Sequence, residues 1–175
     1  AINNRLRGVS RMESFEIILE RYEKEMSEAD KEHWITKKNE IYKALLKNMS
    51  PADLSLEVKE TLDGLRESGH KLAIGSSSKN ARFILGQLGL GEYFDAISDG
   101  NNISKSKPDP EVFVKAAEYI EEGQKHCLVV EDAEAGLKAA IAGGMDCAAI
   151  GDAVGCGLGT YNLATFSDLL KVVEN

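Results

Sequence analysis

Apolar residues recur with a helical spacing from about residue 10 to residue 49. Ser10 and Glu13 form a capping box, which predicts the start of an amphipathic helix. The apolar stripe of this helix consists of Phe15, Ile18, Leu19 and Tyr22. The start signal is repeated from Ser27 through Asp30, and a second helical pattern then runs to Ser50-Pro51. We therefore expect a helical hairpin within residues 1–50.

After Pro51, short apolar runs alternate with helical patterns. We predict helices over 53–68, 79–88, 110–121, 133–142 and 167–173. We predict strands over 71–75, 94–98, 126–130 and 146–150. Asp109 is expected to cap the helix over 110–121, with Pro110 in its first turn. Such alternation predicts an α/β fold over residues 51–175, with a parallel sheet covered by helices on both faces and a site at the carboxyl ends of its strands.

Composition narrows the class of protein. A chain of 175 residues with 43% hydrophobic residues can bury the core of one domain, with a small appendage. The net charge of -8 and the lack of a basic run disfavour nucleic acid as a partner. No apolar run is long enough to span a membrane, and the first residues do not form a signal peptide. The odd number of cysteines, without metal-ligand spacing, predicts reduced thiols in a cytoplasmic protein.

Acidic and hydroxyl side chains follow two of the predicted strands. Glu131 and Asp132 come after one strand, where their carboxylates could bind Mg²⁺, although a solvated turn with a capping role explains them equally. Ser76 follows another strand, where its hydroxyl and the N–H groups of the next helix could hold a phosphate or only cap that helix.

Lys107 stands in a loop where Pro108 favours an extended backbone, which suits an ammonium directed into a cleft. A single loop lysine is otherwise simply exposed. The hydroxyl of Ser76, the lysine and the acid pair follow one another along the chain, each near the end of a strand of one predicted sheet. This arrangement favours a joint role in phosphoryl transfer.

This series resembles the haloacid dehalogenase superfamily of phosphotransferases. Its two most specific motifs are Lys-Pro-Asp-Pro at 107–110 and Val-Glu-Asp-Ala-Glu-Ala-Gly at 130–136. The resemblance implies a Rossmann-like parallel sheet core with a small helical cap, here residues 1–50. It also implies that Ser76 hydrogen-bonds the transferred phosphoryl group, that Lys107 neutralises charge around the nucleophile, and that Glu131 and Asp132 hold Mg²⁺.

Other motifs are similar to the beta-phosphoglucomutase branch of that superfamily. They are Gly-Val-Ser-Arg at 8–11, Lys-Lys-Asn at 37–39, Ser-Pro-Ala-Asp at 50–53 and Ser-Ser-Ser-Lys-Asn at 76–80. The similarity implies interconversion of beta-glucose 1-phosphate and glucose 6-phosphate, through an aspartyl-phosphate enzyme and a bisphosphate intermediate. We expect the protein to be a monomer.

Substrate-binding roles follow from the same similarity. It implies that Arg11 grips the distal phosphate of the sugar with Lys38 nearby, and a guanidinium does offer phosphate a bidentate fork. It also implies that substrate contacts from the core side come from Ser78, Lys79 and Asn80. Without the similarity, Arg11 and Lys38 are ordinary charged residues on helix surfaces.

One expected motif is missing. The family's nucleophile and general acid/base lie in an Asp-x-Asp-Gly stretch after a central first strand, and no Asp-x-Asp occurs in this sequence. Asp99-Gly100 is interpreted as a turn, and the glycines from Gly155 to Gly159 as a flexible loop rather than a dinucleotide site. Because a core without its central strand leaves strand edges unpaired, we expect a further N-terminal segment of about 35 to 40 residues.

Three functions therefore stay open. The first is the mutase, and the second is a sugar-phosphate phosphatase of the same superfamily, in which water resolves the phosphoenzyme. The third is a catalytically inert binding or scaffold domain, since this sequence has no nucleophile.

Overall fold

The helical hairpin predicted for the first fifty residues is present. The computed structural model describes residues 5–6, 8–22 and 25–174. Helix α1 spans Arg11–Leu19 and helix α2 spans Glu28–Leu46. The capping box is confirmed, because the Ser10 hydroxyl accepts from the Glu13 N–H while the Glu13 carboxylate accepts from the Ser10 N–H. No helix in the described ranges is long and apolar enough to cross a membrane.

The apolar stripe of the hairpin is only partly buried. Phe15 and Leu19 are half-buried, whereas Ile18, Tyr22 and Trp34 are exposed. All of these side chains except Ile18 line an open groove between α1 and α2 instead of a closed core. The amphipathic pattern thus predicted the helices, although not the burial of their apolar faces.

The α/β part begins after a short 3₁₀ turn at Pro51–Asp53. Its helices are α3 (Leu56–Glu67), α4 (Ala81–Gln87), α5 (Glu111–Tyr119), α6 (Glu134–Ala142) and α7 (Asp168–Val173). Its strands are β1 (Ala73–Gly75), β2 (Ala96–Ser98), β3 (Leu128–Glu131), β4 (Asp146–Ile150) and β5 (Tyr161–Leu163). Every predicted element of this part is confirmed, with ends shifted by at most three residues.

Some local predictions were wrong. Pro110 precedes α5 instead of lying in its first turn, although the Asp109 carboxylate does accept from the Glu111 N–H, at 3.0 Å. Strand β5 was not predicted. The predicted loop over 155–159 is partly ordered, since a 3₁₀ helix covers Gly151–Cys156.

The strands pair in parallel, as predicted, but the described residues form two sheets instead of one. Strand β1 pairs with β2 in the first sheet, and β4 lies between β3 and β5 in the second. In these sheets β1 and β3 each have one pairing edge unused. That a further strand lies between them stays a prediction.

Helices cover both faces of the second sheet. Because side chains alternate along a strand, Cys147 and Ala149 on β4 join the cluster formed with α5 and α6, while Ala148 joins the cluster formed with α3 and α7. A third cluster, around Leu85 and Ile97, packs α4 against the first sheet. All three cysteines are free thiols.

The connection between β2 and α5 is held by Glu111. Its carboxylate accepts from the Ser104 N–H at 2.9 Å, the Ser104 hydroxyl at 2.8 Å and the Lys105 N–H at 2.8 Å, and it pairs with Lys115 at 2.7 Å. The hydrogen bond from Lys115, followed by that from Ser104, lowers the pKa of Glu111 to about 2. This carboxylate fixes the loop that leads to Lys107.

We predict that the Glu111 contacts stabilise the fold at neutral pH and not in acid. Because the pKa of Glu111 falls from 4.5 to about 2 on folding, its contribution is complete above about pH 4.5 and is lost as the pH falls toward 2. Urea unfolding should show Glu111→Gln to be less stable than the parent at pH 7, with a difference that shrinks between pH 4.5 and 3.

Glu134→Gln is the matched control for this prediction. Glu134 pairs only at the surface with Lys138, at 2.7 Å, and such exposed pairs contribute little. A Glu111→Gln difference that is the same at pH 7 and pH 3 would contradict the prediction.

Candidate active site

Lys107 and Glu131 meet between the carboxyl ends of the two sheets. Both side chains are buried, at 5% and 8% exposure, and the Lys107 ammonium forms an ion pair with the Glu131 carboxylate. The same ammonium donates to the carbonyl oxygen of Gly75 at 3.1 Å. Since Gly75 ends β1 and Glu131 ends β3, this one side chain joins the ends of both strands.

An aromatic ring closes the site around the lysine. The Lys107 ammonium lies 4.5 Å from the centroid of the Phe113 ring, which is a cation–π contact. Phe113 reaches this position because residue 75 is glycine: a Cβ there would lie 2.5 Å from the ring. Sequence reasoning missed both residues, since neither carries a reactive group.

The Glu131 carboxylate is held from the other side by the start of α6. Its second oxygen accepts from the Ala133 N–H at 3.3 Å. A Cβ at Gly136 would overlap the Glu131 side chain, so glycine makes room for it in the first turn of the helix. Asp132 is exposed directly after β3.

The side chains of Glu131 and Asp132 carry the type of ligand atom that magnesium prefers. They supply hard oxygen donors at one strand end, and Mg²⁺ is commonly held by one or two carboxylates together with water and phosphate oxygens. The described residues include no group of three or more potential metal-binding side chains. Their role as magnesium ligands therefore stays a prediction.

The segment Ser76–Asn80 forms a loop between β1 and α4, here called the serine loop. The Ser76 hydroxyl accepts from the Ser78 N–H at 3.2 Å, and the Ser78 hydroxyl accepts from the Asn80 N–H at 3.1 Å. A hydroxyl that accepts such a bond still has a proton to donate to a ligand. Ser77, which belongs to the predicted motif but had no predicted role of its own, accepts from the Lys107 N–H at 3.3 Å and connects the loop to the lysine.

Asn80 connects the serine loop to the helical hairpin. It is 4% exposed, its side-chain oxygen accepts from Arg11 at 3.3 Å, and its amide donates to Asn39 at 3.1 Å. Two of the predicted substrate-binding residues are thus in direct contact, although 69 positions separate them. Asn39 had no predicted role, and its only signal was its place in the motif at 37–39.

Two other predicted substrate-binding residues are exposed on the surface. Lys79 is exposed on the serine loop. Lys38 is exposed on α2 and lines the groove with Phe15 and Trp34. Their contacts with substrate stay predictions, as do those of Arg11, Ser78 and Asn80.

Known proteins resemble this chain over most of its length. The beta-phosphoglucomutase of Bacillus subtilis is 36% identical over 152 residues, which cover 86% of this chain and 67% of the relative. The fructose-1-phosphate phosphatase of Escherichia coli is 35% identical over 102 residues, covering 58% of this chain and 53% of the relative. The chain thus spans about half to two thirds of the length of these relatives.

The fold of this chain also resembles that of a solved structure. The beta-phosphoglucomutase of Clostridium difficile matches with a TM-score of 0.89 and 28% identity, covering 99% of this chain and 79% of that one. The sequence model of the haloacid dehalogenase-like hydrolases matches residues 4–150. With the predicted motifs assembled at the carboxyl ends of parallel strands, the chain belongs to the haloacid dehalogenase-like hydrolase family.

Proposed function

We propose that this chain carries the charge-stabilising and substrate-binding part of a beta-phosphoglucomutase, which interconverts beta-glucose 1-phosphate and glucose 6-phosphate. The observation that carries the proposal is the connected set of contacts from Glu131 through Lys107 and the serine loop to Arg11. Similarity to the B. subtilis and C. difficile mutases supports the choice of reaction.

Phosphoryl transfer depends mainly on positioning and on charge stabilisation, and the site offers both. Lys107 places a buried ammonium between the strand ends, where it would offset negative charge on the transferring group. Ser76 would donate its hydroxyl proton to a phosphoryl oxygen. Arg11 would bind the distal phosphate of the sugar through its guanidinium.

Magnesium would be held by Glu131 and Asp132. When bound, it supplies charge neutralisation for the phosphoryl oxygens. In the proposal, Lys107 then acts both as the partner of Glu131 and as a second positive charge near the phosphoryl group.

A mutase of this kind requires an aspartate nucleophile and a general acid/base, and this sequence contains no Asp-x-Asp. We place both on a strand between β1 and β3, whose carboxyl ends are connected by the contacts of Lys107 with the Gly75 carbonyl and the Glu131 carboxylate. A strand in that position would end beside Lys107, Ser76 and Glu131, where phosphoryl transfer needs its nucleophile.

A phosphatase acting on a small sugar phosphate is the second candidate. The similarity to the E. coli fructose-1-phosphate phosphatase favours it. The two reactions share the phosphoenzyme and differ in whether a sugar hydroxyl or water accepts its phosphoryl group. Contacts to the distal phosphate, such as those proposed for Arg11, favour the mutase. They hold the sugar in place, so that its hydroxyl and not water accepts the phosphoryl group.

We expect the full-length protein to convert beta-glucose 1-phosphate to glucose 6-phosphate in the presence of Mg²⁺. Phosphorus NMR of the reaction distinguishes the candidates, because glucose 6-phosphate and inorganic phosphate give separate signals. Inorganic phosphate as the main product would establish the phosphatase instead. Binding of the sugar phosphate without any turnover would favour the inert binding domain.

We expect Arg11→Lys to raise KM for the sugar phosphate on the order of ten-fold, because lysine keeps the charge and loses the bidentate fork. Arg21→Lys is the matched control, since Arg21 is exposed after the end of α1. Steady-state kinetics of both variants test this prediction. Equal KM values for the two variants would contradict a substrate-binding role for Arg11.

A further inference from the structure

Asp99, interpreted from the sequence as part of a simple turn, has a buried carboxylate. Its side chain is only 2% exposed at the end of β2. One oxygen accepts from the Asn101 backbone N–H at 2.8 Å and from the Asn101 side-chain amide at 3.0 Å. The other lies 3.6 Å from Arg82. Burying a charge is costly unless it is paired and hydrogen-bonded, so a surface turn alone does not account for Asp99.

The turn from Asp99 to Asn102, here called the brace, contacts the serine loop along its length. The Gly100 N–H donates to the Ser78 carbonyl at 3.3 Å, and the Asn101 side-chain amide donates to the Lys79 carbonyl at 3.1 Å. Just before the brace, the Ser98 carbonyl accepts from the Ser76 N–H at 2.9 Å. The serine loop is therefore hydrogen-bonded to this neighbouring segment at three points.

Glycine at position 100 allows the brace to lie close to the backbone of the serine loop. A Cβ there would lie 2.5 Å from the Ser77 carbonyl oxygen and 2.9 Å from the Lys79 nitrogen. The brace is itself anchored, because the Asn102 side chain accepts from the Asp99 N–H at 2.7 Å and the Asn102 carbonyl accepts from Lys115 at 2.6 Å. The serine loop thus rests on a fixed support.

Asn101 is the link between the buried charge and the loop. Its side-chain amide has two protons, one for the Asp99 carboxylate and one for the Lys79 carbonyl, and both acceptors are in place. Asn101 itself is exposed, so it can be replaced without opening the core. An aspartate at position 101 would have no amide protons to donate to Asp99 and Lys79. Its negative charge would also lie beside that of Asp99.

We infer that Asn101 is a positioning residue, which transmits the fixed position of Asp99 to the serine loop and so pre-organises that loop for a sugar phosphate. The inference rests on the proposed function, since it takes the serine loop as the phosphate-binding segment. Asn101 does not touch the substrate. It lowers the cost of ordering the loop when the phosphate binds.

The test uses Asn101→Ala and the isosteric Asn101→Asp in the full-length protein. Asn162→Asp is the matched control, because it makes the same charge change at an exposed asparagine on β5. Thermal melting establishes that each variant is folded. Amide hydrogen exchange over residues 76–80 reports on the loop, and steady-state kinetics with beta-glucose 1-phosphate report on substrate binding.

We expect faster exchange over residues 76–80 in both Asn101 variants and not in the control. KM should rise about three- to ten-fold in Asn101→Ala, as expected for the loss of hydrogen bonds of ordinary strength, and further in Asn101→Asp. The ratio kcat/KM should fall by at least the same factor, since Ser76 on the same loop would donate to the transferring phosphoryl group.

Unchanged exchange in both variants would overturn the inference, and so would faster exchange with an unchanged KM. If the parent protein neither binds nor converts the sugar phosphate, the proposed function fails and the positioning role fails with it. The exchange data then show separately whether the brace holds the loop.

Discussion

The buried ion pair between Lys107 and Glu131 is the contact on which the rest of the site depends. The described strands form separate sheets, and Lys107 connects them by binding Glu131 at the end of β3 and the Gly75 carbonyl at the end of β1. An ion pair removed from water is retained only when its geometry and its other hydrogen bonds offset the lost hydration. Here the Gly75 carbonyl, the Phe113 ring and the Ala133 N–H provide that compensation.

The remaining parts of the site are arranged outward from this pair. Ser77 binds the Lys107 backbone, the serine loop leads to Asn80, and Asn80 contacts Arg11 on the helical hairpin. On the opposite side, Glu111 holds the loop that precedes Lys107. Positively charged and hydrogen-bonding groups from distant parts of the sequence are thus brought to one edge of the sheets, as the proposed binding of a sugar phosphate requires.

The sequence predicted the elements of the fold better than the contacts within the candidate site. Capping residues and apolar alternation located the helices and all strands except β5, which has no apolar run because Asn162 stands at its centre and two of its three residues are exposed. The approach of Lys107 to Glu131 could not be read from the sequence, because it depends on how chain segments 24 positions apart are brought together. The same holds for Gly75, Phe113 and Asn101, whose roles come from close packing and backbone contacts, and not from reactive groups.

A double-mutant cycle on Lys107 and Glu131 tests the central claim most directly. Urea unfolding is measured for the parent, Lys107→Met, Glu131→Gln and the double variant. If the pair joins the sheets, each single variant loses about 3 to 5 kcal/mol, because one buried charge is left without its partner. The double variant then loses clearly less than the sum of the two. Additive losses would contradict the account, since they would mean that the two residues stabilise the fold independently.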